Sequence, residues 1–337
     1  MRTSLLHAAR AMFRNLGLGL TLATLAGTGV APAAAADKFP TATSIADAGD
    51  DYFFQGEYVG NTRSLGRVGL QIIAEGKNTF RGILLPGGLP GDGWNHAQRI
   101  EFVGKREAAE LHLSAGSNVI EATVGTAVLR DASGRHLGAL RRTSRTSPTM
   151  GAAPPAGATV LFNGLSTDQF TPNAKISPAG NLMHGTETKQ KVQDFHLHLE
   201  FKLPYMPTAR GQARGNSGVY IQKRYEVQIL DSFGLEGVHN ECGGLYRTKA
   251  PDTNLCLPPL VWQTYDIDFT AARFDAAGKK IADARITVLH NGYPIHSNVA
   301  IPNKTGGGSP EAPTLLPILL QDHGNPVEYR NVWLVNR

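Results

Sequence analysis

The sequence predicts an all-β protein made of short antiparallel strands, and three observations support this prediction. The 337 residues include 38 glycines and 20 prolines, a composition typical of a chain with many turns. Apolar and polar residues alternate over short runs, as in strands that bury one face. Asn291-Gly292 separates two such runs, and this dipeptide is the strongest short signal for a β-hairpin. The length predicts two domains rather than one.

Residues 1–36 have the organisation of a secretory signal peptide. Three arginines give a basic start, residues 16–30 are mainly apolar, and Ala34-Ala35-Ala36 forms a small-residue cleavage site. The mature chain would then begin at Asp37, in the periplasm or outside the cell. The apolar stretch is short and interrupted, so we expect no integral membrane span in the mature chain. An uncleaved anchor is the alternative.

Residues 37–145 predict a small N-terminal β-domain. Short strand-like runs such as 79–85 and 119–124 are separated by turns that contain glycine. No catalytic constellation occurs in this part of the sequence. Residues 146–158 are rich in Ser, Thr and Pro, which is the composition of a semi-rigid inter-domain linker.

Residues 159–337 predict a two-sheet antiparallel sandwich. Every odd position of 195–203 is apolar, whereas His196 and His198 share the opposite face with Glu200 and Lys202. Two histidines on one strand face could bind a metal ion. The simpler interpretation is a solvated outer face of the sandwich.

The stretch 215–231 predicts a hairpin with a tight turn at Lys223-Arg224. Its second strand alternates between an apolar face and a polar face: Tyr225, Val227 and Ile229 against Glu226 and Gln228. Asp231 follows directly. A rigid sheet that presents ordered polar groups on one face can build a binding surface.

Charge and cysteine content narrow the function classes. The formal net charge is +5, and the predicted signal peptide contributes three arginines to it. This excess is too small to predict nucleic-acid binding, and no basic stripe with interleaved aromatic residues is present. In an exported protein, Cys242 and Cys256 are predicted to form a disulfide; two buried free thiols are the alternative.

A set of motifs occurs in order through the second domain: Leu161-Phe162-Asn163-Gly164, Gly215-Asn216-Ser217-Gly218-Val219-Tyr220, Arg224-Tyr225-Glu226-Val227-Gln228-Ile229-Leu230-Asp231, Trp262-Gln263-Thr264-Tyr265-Asp266, Val288-Leu289-His290-Asn291-Gly292, Leu320-Gln321-Asp322-His323-Gly324-Asn325-Pro326-Val327 and Tyr329-Arg330-Asn331-Val332-Trp333. Together they resemble the 3-keto-disaccharide hydrolase domain, and the resemblance covers residues 159–337. It implies a concanavalin A-like, jelly-roll β-sandwich that acts on glycosides oxidised to a ketone at C3.

The polar residues of the hairpin suggest which chemistry this domain performs. Glu226-x-Gln228-x-x-Asp231 is similar in spacing to the E-x-D-x-x-E strand of laminarinase-type glucanases, which place two carboxylates across the glycosidic bond. Here the middle acid is an amide, which argues against an ordinary retaining glycosidase. A ketone at C3 instead acidifies the C2 hydrogen, so a base can remove it and the C1 oxygen leaves by elimination. Addition of water completes a net hydrolysis.

We therefore predict Glu226, Asp231 and His323 as the catalytic base and acid set. Six further side chains are predicted to bind substrate: Asn216, Arg224, Gln228, His290, Gln321 and Asn325. Structural alternatives remain, since Glu226 and Gln228 could be cross-strand partners on a solvated face and Asp231 could cap a turn. A divalent cation is left open as a cofactor, although no metal-ligand spacing identifies one.

Two functions remain open from the sequence. The first is an exported enzyme whose partner is an oligosaccharide or glycoside with a ketone at C3. The second is a non-catalytic glycan-binding module. A module would need an exposed aromatic platform, whereas Trp262 and Trp333 lie in strand patterns that fit a core. This difference favours the enzyme.

Overall fold

The computed structural model describes residues 39–337, so the predicted signal peptide lies outside the described residues. The described chain is almost entirely β-structure. Its helices are one short α-helix, α1 (Asp51–Phe54), and two single turns of 3₁₀ helix, Ile45–Asp47 and Gly211–Ala213. The predicted all-β class is confirmed. In residues 39–337, no helix is long and apolar enough to cross a membrane.

Eight antiparallel strands close into a barrel in the N-terminal part. They are β1 (Gly56–Thr62), β2 (Gly66–Gly76), β3 (Thr79–Pro86), β4 (Ile100–Glu107), β5 (Glu110–Ala115), β6 (Asn118–Thr123), β7 (Thr126–Arg130) and β8 (His136–Thr143). Pairing of β1 with β8 completes the ring, which removes the free edges of the sheet. Buried side chains such as Tyr58, Leu70 and Phe102 fill the interior.

Two antiparallel sheets form the C-terminal sandwich. The strands are β9 (Thr159–Phe162), β10 (Leu182–Met183), β11 (Thr186–Val192), β12 (Phe195–Lys202), β13 (Ser217–Ile221), β14 (Tyr225–Ile229), β15 (Trp262–Thr270), β16 (Arg273–Phe274), β17 (Lys280–Ala282), β18 (Ala284–His290), β19 (Tyr293–Ile301), β20 (Leu316–Leu320) and β21 (Glu328–Asn336). The larger sheet has the order β10-β21-β12-β15-β18-β19, with β9 also paired to β21. The smaller sheet has the order β11-β20-β13-β14, and β16 and β17 form a separate ribbon.

The smaller sheet is covered on both faces. Every residue of β13 and β14 is buried, although their side chains alternate between the two faces. Val219, Val227 and Ile229 belong to the apolar core between the sheets. The opposite face carries polar side chains and lies beneath loops, so it is buried without being apolar.

The barrel and the sandwich share their cores. Ile83 and Leu85 of β3 pack in the hydrophobic cluster of the sandwich, whereas Tyr205 and Leu260 pack in the cluster of the barrel. Hydrogen bonds add to this contact, since the guanidinium of Arg99, between β3 and β4, donates to the carbonyls of Gly234 and Leu235. The two parts therefore pack as one body in the described chain.

Residues 147–152 form a strap across the outer face of the larger sheet. Thr149 donates a hydrogen bond of 2.7 Å to Asp266, and the backbone N–H of Gly151 donates one of 2.6 Å to Glu200. Beneath the strap, His198 lies 2.6 Å from Asp266 and stacks on Trp333. The expected solvated outer face is therefore wrong, because the strap replaces water as the partner of these polar groups.

Glu200 gives a prediction about this network. Burial raises the pKa of its carboxyl, but hydrogen bonds from His198, Asn331, Arg330 and the Gly151 N–H outweigh that effect and lower the pKa from 4.5 to about 2. Glu200→Gln should lower the free energy of unfolding at pH 7 by about 2 kcal/mol, because it weakens the charge-assisted interactions of the buried carboxylate with His198 and Arg330. The difference should shrink as the pH falls from 4.5 toward 2.

Urea unfolding at pH 7 and pH 3 would measure both effects. Glu110→Gln is the matched control, since that carboxylate is exposed, and we expect a change within about 0.5 kcal/mol. Equal stability of Glu200→Gln and wild type at pH 7 would contradict the role of Glu200 in holding the strap.

Candidate active site

The polar face of the β13–β14 hairpin forms the floor of the candidate site. The register places Tyr220 opposite Glu226 and Gly218 opposite Gln228. Strand β20 lies on the other side of β13, and the N–H of Gln321, just after β20, bonds to the carbonyl of Gly218. Three adjacent strands thus direct polar side chains to one point.

A cavity of about 380 Å³ lies over this floor. Five of the predicted site residues line it: Asn216, Glu226, Gln228, Gln321 and His323. They come from three separate stretches of sequence, and the fold brings them together. The hydrogen-bonding groups around the cavity suit a small polar ligand.

Glu226 places a buried carboxyl in the lining of the cavity. Its side chain is 2% exposed, and its Oε2 accepts a hydrogen bond of 2.7 Å from the Tyr220 hydroxyl. Burial raises the pKa of this carboxyl from 4.5 to about 7, and the hydrogen bond from Tyr220 partly opposes the rise. A carboxyl with a pKa near neutrality can take up and release a proton, which is what a general base requires.

Gly218 lets the Glu226 carboxyl lie flat over the strand. A Cβ at this position would be 2.5 Å from Glu226 Oε1 and 3.2 Å from Gln321 Oε1. The missing side chain therefore creates the space in which these two groups lie beside each other. Gln321 Oε1 is buried and has no hydrogen-bond partner within the described residues.

His323 and Asn325 lie in the loop between β20 and β21. His323 lines the cavity and is exposed, so it stands at the rim rather than on the floor. Asn325 does not line the cavity. Its Oδ1 accepts a hydrogen bond of 2.8 Å from the backbone N–H of Asn216, so it positions a cavity residue.

The structure does not place Asp231 in the cavity, and its prediction as a catalytic residue is corrected. Its carboxylate is buried and forms an ion pair of 2.6 Å with Arg214. It also accepts a hydrogen bond from the N–H of Phe233, as in the turn-capping alternative. Asp231 thus fixes the end of the hairpin.

Arg224 and His290 are also not at the cavity. The Arg224 guanidinium donates to the carbonyls of Pro310 and Thr314, so it holds a loop. His290 is completely buried in the larger sheet, 3.0 Å from Gln263. Burial, with a smaller contribution from Arg145, lowers the pKa of His290 to about 3. We therefore assign both side chains structural roles.

The predicted disulfide is not present. Cys242 and Cys256 are buried free thiols. The two thiols lie in contact with each other, and each also has an oxygen partner: the Tyr265 hydroxyl for Cys242 and the Leu230 carbonyl for Cys256. The alternative of two buried thiols describes the structure.

Four cavity residues were missed in the sequence: Gln212, Tyr220, Tyr246 and Gly307. Tyr220 carried a usable signal, because it follows Gly218 by two residues and therefore shares its strand face. Gln212 and Tyr246 lie outside regular strands, in a 3₁₀ turn and a loop. No periodicity in the sequence could have found them.

A larger cavity of about 790 Å³ lies where the barrel meets the sandwich. Its charged side chains are already paired, Asp92 with Arg67 and Arg145 with Glu57. Among its described lining residues, this larger cavity therefore has no unpaired charged side chain that could act as a general acid or base. The smaller cavity at Glu226 is therefore the better candidate for chemistry.

The donor set of the Glu226 cavity bears on whether a metal ion could bind there. It comprises one carboxylate, one imidazole and several amides. Among residues 39–337, no group of three or more His, Cys, Asp or Glu side chains is placed to hold a metal ion. A divalent cation stays a prediction for experiment.

Known proteins were compared with the chain, and the match falls on the sandwich. Residues 157–335 match the family described as the 3-keto-alpha-glucoside-1,2-lyase-like domain, which is more than half of the chain. The chain belongs to this family. The resemblance seen in the sequence motifs is confirmed, and membership in the 3-keto-alpha-glucoside-1,2-lyase-like family supports an enzyme that acts on glycosides.

One solved structure supports this assignment. A Parabacteroides distasonis protein provisionally described as a glycosyl hydrolase is 31% identical, with a TM-score of 0.51 over 54% of this chain and 85% of that one. Two others from this organism, described in the same way, are 18% and 21% identical, with TM-scores of 0.38 and 0.37. They cover 54% and 53% of this chain and 94% and 99% of theirs. No curated protein matches the chain.

The pKa of Glu226 gives a prediction about stability. Because burial raises this pKa, the folded state favours the protonated carboxyl, and the stability present below pH 4.5 is lost as the pH rises to about 7. Glu226→Gln, which mimics the protonated form, should raise the free energy of unfolding at pH 8 by about 2 kcal/mol. At pH 4 the two proteins should be equally stable.

Denaturant unfolding at both pH values would measure this. Glu236→Gln, at an exposed position, is the matched control and should show no difference between the two pH values. If the Glu226→Gln variant is instead less stable than wild type at pH 8, the ionised carboxylate is stabilised by a partner rather than destabilised by burial.

Proposed function

We propose that this protein cleaves the glycosidic bond of glycosides oxidised to a ketone at C3. The proposal rests above all on one observation, the carboxyl of Glu226 with a pKa of about 7 on the floor of a polar cavity. Membership in the 3-keto-alpha-glucoside-1,2-lyase-like family supports the choice of this substrate class. Elimination needs only one well-placed base near neutral pKa, whereas an ordinary retaining glycosidase needs two carboxylates at the bond. This cavity contains one carboxylate.

The first step is removal of the C2 proton by Glu226. The ketone at C3 accepts the electron pair of the C2–H bond, which gives an enolate. Oε2 of Glu226 is held by Tyr220, so Oε1, over Gly218, is the oxygen that receives the proton. Two groups on the cavity wall can donate hydrogen bonds to the enolate oxygen: the Tyr246 hydroxyl and the Gln321 amide.

The second step breaks the C1–O bond. The enolate carbonyl reforms, a C1–C2 double bond forms, and the departing oxygen takes a proton from His323 at the rim. Water then adds to C1 and passes one proton to His323, while Glu226 returns its proton to C2, so that both side chains end as they began. The sum of the two stages is hydrolysis, and release before the addition of water would make the enzyme a lyase.

Export and cofactor use are further parts of this proposal. Export follows from the signal-like residues 1–36, and N-terminal sequencing of the secreted protein should give Asp37 as its first residue. A requirement for a divalent cation would be detected as a loss of turnover when a chelator is added.

The purified protein should cleave a 3-keto-disaccharide and leave its non-oxidised parent intact. Mass spectrometry of both reactions, with and without a chelator, measures this. Glu226→Gln should reduce turnover at least about 10³-fold, because no other carboxylate lies in the cavity. His323→Ala should reduce it by a smaller factor, of about 10²-fold, for substrates whose leaving group needs a proton.

Glu236→Gln, outside the cavity, should turn over normally. Cleavage of the parent sugar would indicate an ordinary glycosidase. Saturable binding of a glycan with no product from either sugar would instead establish the glycan-binding module. Loss of turnover with a chelator, restored by a divalent metal, would establish a cation requirement.

Gly218 provides an independent test of the base. Gly218→Ala should lower kcat by about 10²-fold, because the new methyl group displaces the Glu226 carboxyl from its position. Gly307 also lines the cavity, and Gly307→Ala is the matched control because it adds the same methyl group there with its Cβ 3.6 Å from the Tyr220 hydroxyl, which is ordinary contact. Both variants should retain the circular dichroism spectrum of wild type. Equal kcat for the two variants would contradict the assigned position of the carboxyl.

A further inference from the structure

The amide side chains around the cavity form a chain of hydrogen bonds with a defined direction. The N–H of Ile229 donates to Gln228 Oε1, and Gln228 Nε2 donates to Gln212 Oε1. Gln212 Nε2 donates to the carbonyl of Asn240. Both ends of this series of hydrogen bonds are backbone groups: an N–H, which can only donate, and a carbonyl, which can only accept. The orientation of each amide is thus fixed.

This direction decides how Asn216 is oriented. Its Nδ2 donates to the backbone carbonyl of Gln212 at 2.8 Å and to Gln212 Oε1 at 3.2 Å. Both partners are acceptors, so turning the Asn216 amide over would place oxygen against oxygen. Oδ1 must therefore point away from them. Asn325 holds the backbone of Asn216 in place from the other side.

The consequence is a buried acceptor without a donor. Asn216 is 1% exposed, lines the cavity, and its Oδ1 has no partner within the described residues. Buried polar atoms in native proteins are nearly always paired, and an exception calls for an explanation. A ligand that supplies a hydroxyl donor is one such explanation, and a sugar ring carries several.

The position relative to Glu226 selects which hydroxyl. Asn216 precedes Gly218 by two residues, a separation of about 7 Å in extended chain, and Gly218 lies beneath the Glu226 carboxyl. A ring whose C2 lies at Glu226 would therefore reach Asn216 with its far side. On a 3-keto ring, the donors on that side are the hydroxyls at C4 and C6.

We propose that Asn216 determines specificity by accepting a hydrogen bond from the C4 or C6 hydroxyl of the oxidised ring. This inference rests on the proposed function and deepens it. The sequence predicted only that Asn216 binds substrate, whereas the directed network makes its Oδ1 a hydrogen-bond acceptor. A ring that lacks this hydroxyl leaves Oδ1 of Asn216 unpaired, so the enzyme would distinguish the sugar from its deoxy analogue by one hydroxyl.

A double-mutant cycle between protein and substrate tests the proposal. Wild type and Asn216→Ala would each be assayed on the 3-keto-disaccharide and on analogues lacking the C4 or the C6 hydroxyl of the oxidised ring. Wild type should lose about tenfold in kcat/KM on one of the two analogues. Asn216→Ala should lose about tenfold on the parent and nothing more on that same analogue.

The exposed Asn303 supplies the control variant, Asn303→Ala, which should discriminate among the analogues like wild type. The wild-type measurements hold even if Asn216→Ala fails to fold. Equal rates of wild type on the parent and both analogues would overturn the inference. Undiminished discrimination by Asn216→Ala would overturn it as well.

A binding arm separates this inference from the proposed reaction. Saturation-transfer NMR would measure methyl α-glucoside and its 4-deoxy and 6-deoxy forms on wild type and Asn216→Ala. If wild type cleaves no keto sugar but shows the same coupled loss in binding, the reaction is wrong and the role of Asn216 stands. Absence of binding of methyl α-glucoside by wild type, together with no discrimination in turnover, would reject Asn216.

Discussion

Burial of the polar face of the smaller sheet is the constraint on which the site depends. A polar side chain removed from water must find a partner inside the protein. The amides of Gln212 and Gln228 satisfy each other and nearby backbone groups. Among the described residues, the carboxyl of Glu226 receives one donor, Tyr220, which only partly offsets the rise in pKa caused by burial. The raised pKa of Glu226 thus arises where pairing within the protein is incomplete.

The barrel takes part in shaping this cavity although it contributes none of its lining. Arg214 is bonded both to Asp231 at the end of the hairpin and to the carbonyl of Ala74 in β2. Arg210 bonds to the carbonyl of the next barrel residue, Glu75. Gln212 lies between these two arginines, so the turn that carries it is held against the barrel.

The sequence predicted those parts of the site that depend on local periodicity. Alternation along β14 placed Glu226 and Gln228 on the polar face, and the hairpin and the sandwich followed from similar patterns. Asp231 was misassigned because its partner Arg214 is 17 residues away, a contact that no spacing rule specifies. Closure of the barrel could not be predicted from local patterns either, since pairing of β1 with β8 joins residues far apart in the chain.

The strap of residues 147–152 lies ahead of the region that defines the family, which begins at residue 157, yet it supplies partners to Asp266 and Glu200 inside that region. The region matched by the family is thus shorter than the region whose residues satisfy the buried polar groups of the sandwich. A chain cut at residue 157 would separate the carboxylates of Asp266 and Glu200 from the strap that donates hydrogen bonds to them. A fragment that begins at residue 157 would therefore contain Asp266 and Glu200 without the strap residues that bond to them.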